Sequence, residues 1–130
     1  KKLLSSVDDG GSAKKEKVNL SKSECQEIAD RYNEALGDYL PRCQILNKSR
    51  ESAINARFRE MLNSETPSGA IRFANKQDGI AWFGKLFGKV KFNSHWIGDN
   101  DRQWTADLDW ILKPTNFAKI LEYAPPRKEQ

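Results

Sequence analysis

The stretch Asn75-Lys76-Gln77-Asp78-Gly79-Ile80-Ala81-Trp82-Phe83-Gly84-Lys85-Leu86-Phe87-Gly88-Lys89-Val90 decides the fold. Asn75 followed three residues later by Asp78 is a helix-start pair, because a short polar side chain there can take the free N–H groups of a first turn. Ile80, Trp82, Phe83, Leu86, Phe87 and Val90 then place apolar side chains most of the way round a helix, which is stable only when other elements surround it. This predicts the central helix of a mainly α domain. Gly84 and Gly88, one turn apart, are read as positions where another backbone comes close, since glycine otherwise weakens a helix by about 1 kcal/mol.

Upstream, Ser21-Lys22-Ser23-Glu24 fits a capping box, with Leu20 and Cys25 as the hydrophobic staple. Cys25, Ile28, Ala29, Tyr32 and Leu36 recur at helical spacing, and Gly37 is the expected stop. Pro41 forces an extended segment from Leu40 to Leu46. A second helix is expected from about Ser49 to Asn63, with Ile54, Phe58, Met61 and Leu62 as its apolar stripe. After the breakers Thr66-Pro67-Ser68-Gly69, the segment Ala70 to Ala74 is expected to be extended.

Downstream, His95-Trp96-Ile97 and Trp104-Thr105-Ala106 flank the turn-rich Gly98-Asp99-Asn100-Asp101-Arg102, which predicts a small β-hairpin near residues 95–106. From Trp104 to Leu112 the apolar positions fit a helix and a strand equally. The reading taken is a short strand through Ala106 and a helical turn ending before Pro114. A last helix follows, with Thr115 as its cap and Phe117, Ile120 and Leu121 inward. The expected architecture is a compact bundle of about four to five helices with one small hairpin.

The 130 residues suit one domain, and 31% charged residues demand a heavily charged surface around a core drawn from the 38% that are hydrophobic. No apolar run approaches a membrane span, and no secretory signal precedes the charged segments, so no membrane partner is expected and the expected location is cytoplasmic. Residues 1–18, with Asp8-Asp9-Gly10-Gly11-Ser12, read as a flexible linker, 19–123 as the helical domain and 124–130 as a disordered tail. The absence of an initiating Met suggests a piece of a longer protein. Cys25 and Cys43 match no zinc spacing and are expected to be reduced and buried, so no metal or other cofactor is expected.

There is no Gly-rich phosphate loop, no Ser/His/Asp set and no paired Cys/His site, which leaves the chain without a catalytic motif. Asp99, Asp101, Asp107 and Asp109, with Lys113 nearby, are the only basis for a metal-dependent nuclease. Asp-Asn-Asp is ordinary turn chemistry, and His95 reads as a surface histidine, so no enzyme is expected. The net charge of +4 favours an anionic partner. Arg50 and Arg57, seven apart, lie along one border of the second helix, where they serve equally to cover the core edge or to grip phosphate; Arg59 points elsewhere. Arg42, Arg50, Arg57, Arg59, Arg72, Lys85, Lys89 and Lys91 are the candidate contacts to DNA or to an acidic partner. The four tryptophans are assigned to the core, with at most one exposed, because burying each stabilises the fold by roughly 1.5–3 kcal/mol.

Trp104-Thr105-Ala106-Asp107-Leu108-Asp109-Trp110-Ile111-Leu112-Lys113-Pro114-Thr115-Asn116-Phe117-Ala118-Lys119-Ile120-Leu121-Glu122 resembles the closing signature of phage and prophage replication proteins, a DWLLKP-like core followed by NFxKILEG. Upstream, Leu40-Pro41-Arg42, Ser49-Arg50, Ala53-Ile54 and Ala56-Arg57-Phe58-Arg59-Glu60 look like the arginine-bearing helix of that family. Phe87, Val90, Ser94, Trp96, Ile97 and Gly98 match its middle loosely. Tyr123 departs from the family, which usually has Gly there. The resemblance implies a C-terminal accessory domain of a replication initiator or replisome organiser from a mobile element. In such proteins an N-terminal region, often a winged helix, recognises the origin. The C-terminal part is thought to help assemble the replisome through DNA, or through the replicative helicase or its loader.

Overall fold

A computed structural model describes residues 18–125. The proposed linker, apart from Val18, and the last five residues of the tail lie outside the described residues. Among the described residues five helices follow in order: α1 (Lys22–Leu36), α2 (Lys48–Met61), α3 (Lys76–Val90), α4 (Leu108–Leu112) and α5 (Pro114–Glu122), with a 3-10 turn at Ser94–Trp96.

The helix starts follow the local chemistry. Ser21 Oγ accepts from Glu24 N–H at 3.1 Å while Glu24 Oε1 accepts from Ser21 N–H at 2.8 Å, so the capping box is complete. Asn47, Asn75 and Asp107 cap α2, α3 and α4 through their side-chain oxygens. The last helix departs from expectation: Lys113 is its N-cap, without a side-chain bond, and Pro114 occupies the first helical position in place of a cap at Thr115. Proline suits that position because its missing N–H would have had no helical partner.

Helix α3 is central, as its composition demands. It packs most extensively on α1 and also contacts α5. Phe83 is the hub of the aromatic core: its ring centroid lies 5.9 Å from Phe58, 5.8 Å from Phe117, 6.1 Å from Phe87 and 5.2 Å from Trp82. Close approach is tightest at Gly79, outside the expected pair, and of that pair only Gly84 is closely packed. A Cβ on Gly79 would stand 2.5 Å from the Phe58 ring and 2.7 Å from Phe73, and one on Gly84 would meet the Arg31 stem at 3.3 Å. One on Gly88 would meet nothing within 4 Å.

The expected hairpin is absent, and no sheet forms among the described residues. Residues 95–106 close through a single antiparallel bridge, Ile97 to Thr105. Ser94–Trp96 winds into the 3-10 turn because Asn93 Oδ1 caps His95 N–H and Trp96 N–H, which removes one arm of the ladder. Asn100 then ties the loop: Nδ2 donates to the His95 and Trp104 carbonyls, and Oδ1 accepts from the Arg102 and Trp104 amides. Residues 64–72 pinch in the same way, through one bridge from Glu65 to Ile71, so the extended segment expected at 70–74 is reduced to that bridge.

The extended segment before α2 is held by Asn33, whose side-chain amide donates to the Cys43 carbonyl at 3.0 Å and accepts from the Cys43 N–H at 2.7 Å. Cys25 and Cys43 are free and buried. Burial pushes the Cys25 thiol up to about 11. No described helix is long and apolar enough to cross a membrane.

Candidate nucleic-acid interface

On α3, Trp82, Lys85, Leu86 and Lys89 are spaced i, i+3, i+4 and i+7 and so share one face. That face forms the floor of a groove of about 290 Å³, walled by Thr66, Pro67 and Arg72 of the pinched loop and by Leu121 of α5. The pinch positions Arg72: its backbone N–H donates to the Ser64 carbonyl at 2.8 Å, and its guanidinium donates to Ser64 Oγ and the Glu65 carbonyl. Lys89 Nζ donates to the Leu121 carbonyl at 3.0 Å, and burial lowers its pKa from the usual lysine value. Lys85 is exposed and forms no ion pair with a described residue. None of the lining residues is acidic. Three cations and one half-buried indole therefore face the same space, an arrangement that suits a polyanion with planar, stackable groups.

The other five candidate cations stand elsewhere. Arg50 makes a two-pronged contact with Asp109, Nε to Oδ1 and Nη2 to Oδ2, both at 3.0 Å, and its Nη1 donates to the Ile45 carbonyl at 2.8 Å. These bonds hold the Asp109 carboxyl below its ordinary value and raise the Arg50 pKa. Arg57 is buried and paired with Glu60 at 3.1 Å. Arg59 donates to the Val18 carbonyl and to Asn19. Arg42 is exposed, its guanidinium lying over Gly37, and Lys91 Nζ sits 5.5 Å from the Phe92 ring centroid.

Two of the four acids that could have formed a metal site have structural tasks. Asp107 caps α4 by accepting from Trp110 N–H at 2.9 Å, and Asp109 holds Arg50. Asp99 and Asp101 line a cleft with the exposed His95 and Trp104, whose ring centroids are 5.8 Å apart. No group of three or more His, Cys, Asp or Glu side chains among the described residues is placed to hold a metal. Trp104 is the exposed tryptophan, at 37%; Trp96 is buried, and Trp82 and Trp110 are half-buried.

Sequence comparison finds one phage replication protein among the relatives of this chain. The chain is 32% identical over 115 residues to DNA replication protein gp18 of Salmonella phage P22, an alignment covering 88% of this chain and 37% of that protein. The chain is a relative of a phage DNA replication protein. It spans little more than a third of gp18 in length. No protein-family model and no solved structure matches it. The resemblance carried by Trp104 to Glu122 agrees with gp18 at the level of a phage DNA replication protein.

Of the groove's walls, Arg72 is a candidate in the sequence, while Thr66, Pro67 and Leu121 are not. Pro67 and Thr66 read there only as helix breakers, and Trp82, interleaved with candidate cations, is assigned to the core. The available signal was the helical spacing of Lys85 and Lys89 with Trp82, which identifies one cationic face with an aromatic in it.

Proposed function

We propose that residues 19–123 form a non-enzymatic accessory domain of a mobile-element replication initiator, C-terminal in the whole protein, which contacts DNA in the bacterial cytoplasm. The observation that carries this reading is the convergence of Arg72, Lys85 and Lys89 around Trp82 in a groove with no acidic lining residue. Phosphates would be met by the three cations, and an unpaired base would pack against the exposed part of the indole. The similarity to gp18 supports the replication setting. Recruitment of a helicase or loader through this same surface is the less favoured reading, because protein contacts place apolar and aromatic groups at their centre and polar ones at the rim, whereas cations crowd this small groove.

Fluorescence anisotropy with labelled oligothymidylate and with a duplex tests the proposal. Log affinity should fall linearly with log salt, and Arg72→Ala and Lys85→Ala should each reduce the slope by about 1. Tryptophan quenching by the oligothymidylate alone, lost in Trp82→Phe, would place single strands in the groove. Absence of binding at low salt, or slopes unchanged in both variants, would overturn the reading.

A further inference from the structure

Arg31 of α1 crosses onto α3. A Cβ on Gly84 would stand 3.7 Å from the Arg31 Cβ, 3.3 Å from its Cδ and 3.5 Å from its Nη1, so the side chain lies over that glycine from stem to guanidinium. Glycine weakens a helix interior relative to alanine, and the room it leaves here is where Arg31 rests. Arg31 is nonetheless exposed, and it forms no ion pair or hydrogen bond with a described residue. Its stem is packed and its charge is unmatched.

The place where Arg31 lies adjoins the Arg72–Lys89 groove. Arg31, Glu34 and Ala35 of α1, with Ala81, Gly84 and Lys85 of α3, line a second hollow of about 270 Å³. Lys85 lines both hollows. At about 100° per residue, Trp82, Leu86 and Lys89 fall on one side of Lys85 around α3, and Ala81 and Gly84 on the other. Lys85 is therefore the ridge between them. The two hollows share four cations, Arg31, Arg72, Lys85 and Lys89, against one carboxylate, Glu34, which pairs with none of them.

We propose that a DNA strand held in the Arg72–Lys89 groove passes over Lys85 and is gripped again by Arg31, so that its path crosses α3 and ends on α1. This rests on the DNA reading and adds to it a contact residue and a direction. A strand suits the arrangement because its charges repeat along a chain: one phosphate meets Lys85 on the ridge and a later one meets Arg31, whereas a compact anion occupies a single hollow. Arg31 is already laid along α3, so it loses less rotamer freedom on binding than a side chain free in solvent. Glu34 is the one lining group that opposes the strand.

The test combines fluorescence anisotropy, using a labelled oligothymidylate of about twelve residues, with 15N amide shifts of the same 130-residue chain. Arg31→Gln, at an exposed position, should weaken binding at low salt by about fivefold and reduce the salt slope by about 1, as each groove cation does. Arg42→Gln removes the same charge outside both hollows and should cost less than about twofold. Glu34→Gln should tighten binding. The oligothymidylate should move the Arg31, Ala35 and Gly84 amides together with those of Arg72 and Lys85. If Arg72→Ala and Lys85→Ala lower the slope while Arg31→Gln matches Arg42→Gln, or if the Arg31 and Gly84 amides stay still while Arg72 moves, the crossing is overturned and the groove stands. No binding at low salt, or slopes unchanged in Arg72→Ala and Lys85→Ala, would overturn the DNA reading and the crossing with it.

Discussion

At the level of single residues, two glycines of one helix predict opposite outcomes. Gly79→Ala would press a methyl group into the Phe58 and Phe73 rings, at 2.5 and 2.7 Å. Overpacking of that kind costs about 1–3 kcal/mol, which outweighs the helix-propensity gain of about 1 kcal/mol. Gly88→Ala meets open space on the same helix, so only the gain remains, roughly 0.5–1 kcal/mol less any loss from its place in the last turn. Urea unfolding should therefore move the midpoint down for the first and up for the second; a shift in the same direction for both would contradict this packing. Asp109 supplies a second residue-scale prediction. Arg50 depresses its pKa in the folded state, so protonation favours unfolding. The stabilisation is complete above the ordinary carboxylate value of 3.8 and is lost as pH falls through the lower folded value. Asp109 is exposed, so screening limits the effect: Asp109→Asn should cost about 0.5–1 kcal/mol near neutral pH. That difference should shrink as pH falls below 3.8 and the wild-type carboxyl takes up its proton at its lower folded value. A difference constant across this range would assign the cost to something other than the charge pair.

At the level of elements, the helices were legible in the sequence and the loops were not, for a reason visible in Asn33 and Asn100. Ser21-x-x-Glu24 and Asn75-x-x-Asp78 announce their helices because capping is local: donor and acceptor lie three residues apart and need no tertiary information. The apolar face of α1, Cys25 to Leu36, is buried as its spacing requires. Asn33 lies off that face and looked like an ordinary polar position. Its amide instead clamps the backbone of Cys43, ten residues on, which only the folded chain brings near. Asn33→Ala leaves a paired N–H and C=O without partners beside the core, a loss of about 1–3 kcal/mol. Hydrogen exchange should show it first at Cys43 and its neighbours; protection unchanged there would mean that the extended segment is held by packing alone. Residues 95–106 misled for a related reason. Alternating aromatics and a turn-rich centre suggest two strands, but Asn93 and Asn100 satisfy the backbone from within the loop, so the ladder stops at one bridge.

At the level of the whole molecule, the question is where the positive charge is left over. Composition gives a net +4 and cannot say which cations are committed. Folding sorts them. Arg50, Arg57, Lys22 and Lys76 pair with carboxylates, whereas Arg59, Arg72 and Lys89 bond only neutral groups and keep their charge unmatched. The border shared by Arg50 and Arg57 in the sequence therefore becomes a structural seam, with only part of Arg57 unsatisfied. Arg72, Lys85 and Lys89 remain together beside Trp82, free of acidic neighbours in their groove. If that placement governs DNA contact, rather than overall charge, then reversing one groove cation must do more than reversing one elsewhere. Lys85→Glu and Arg42→Glu change the net charge equally, both at exposed positions, and Arg42 lies over Gly37 outside the groove. At low salt the first should weaken oligothymidylate binding by about tenfold, and the second by about twofold through the general field alone. Equal losses in the two variants would mean that the domain attracts DNA by its summed charge, and the groove would then have no special part in it.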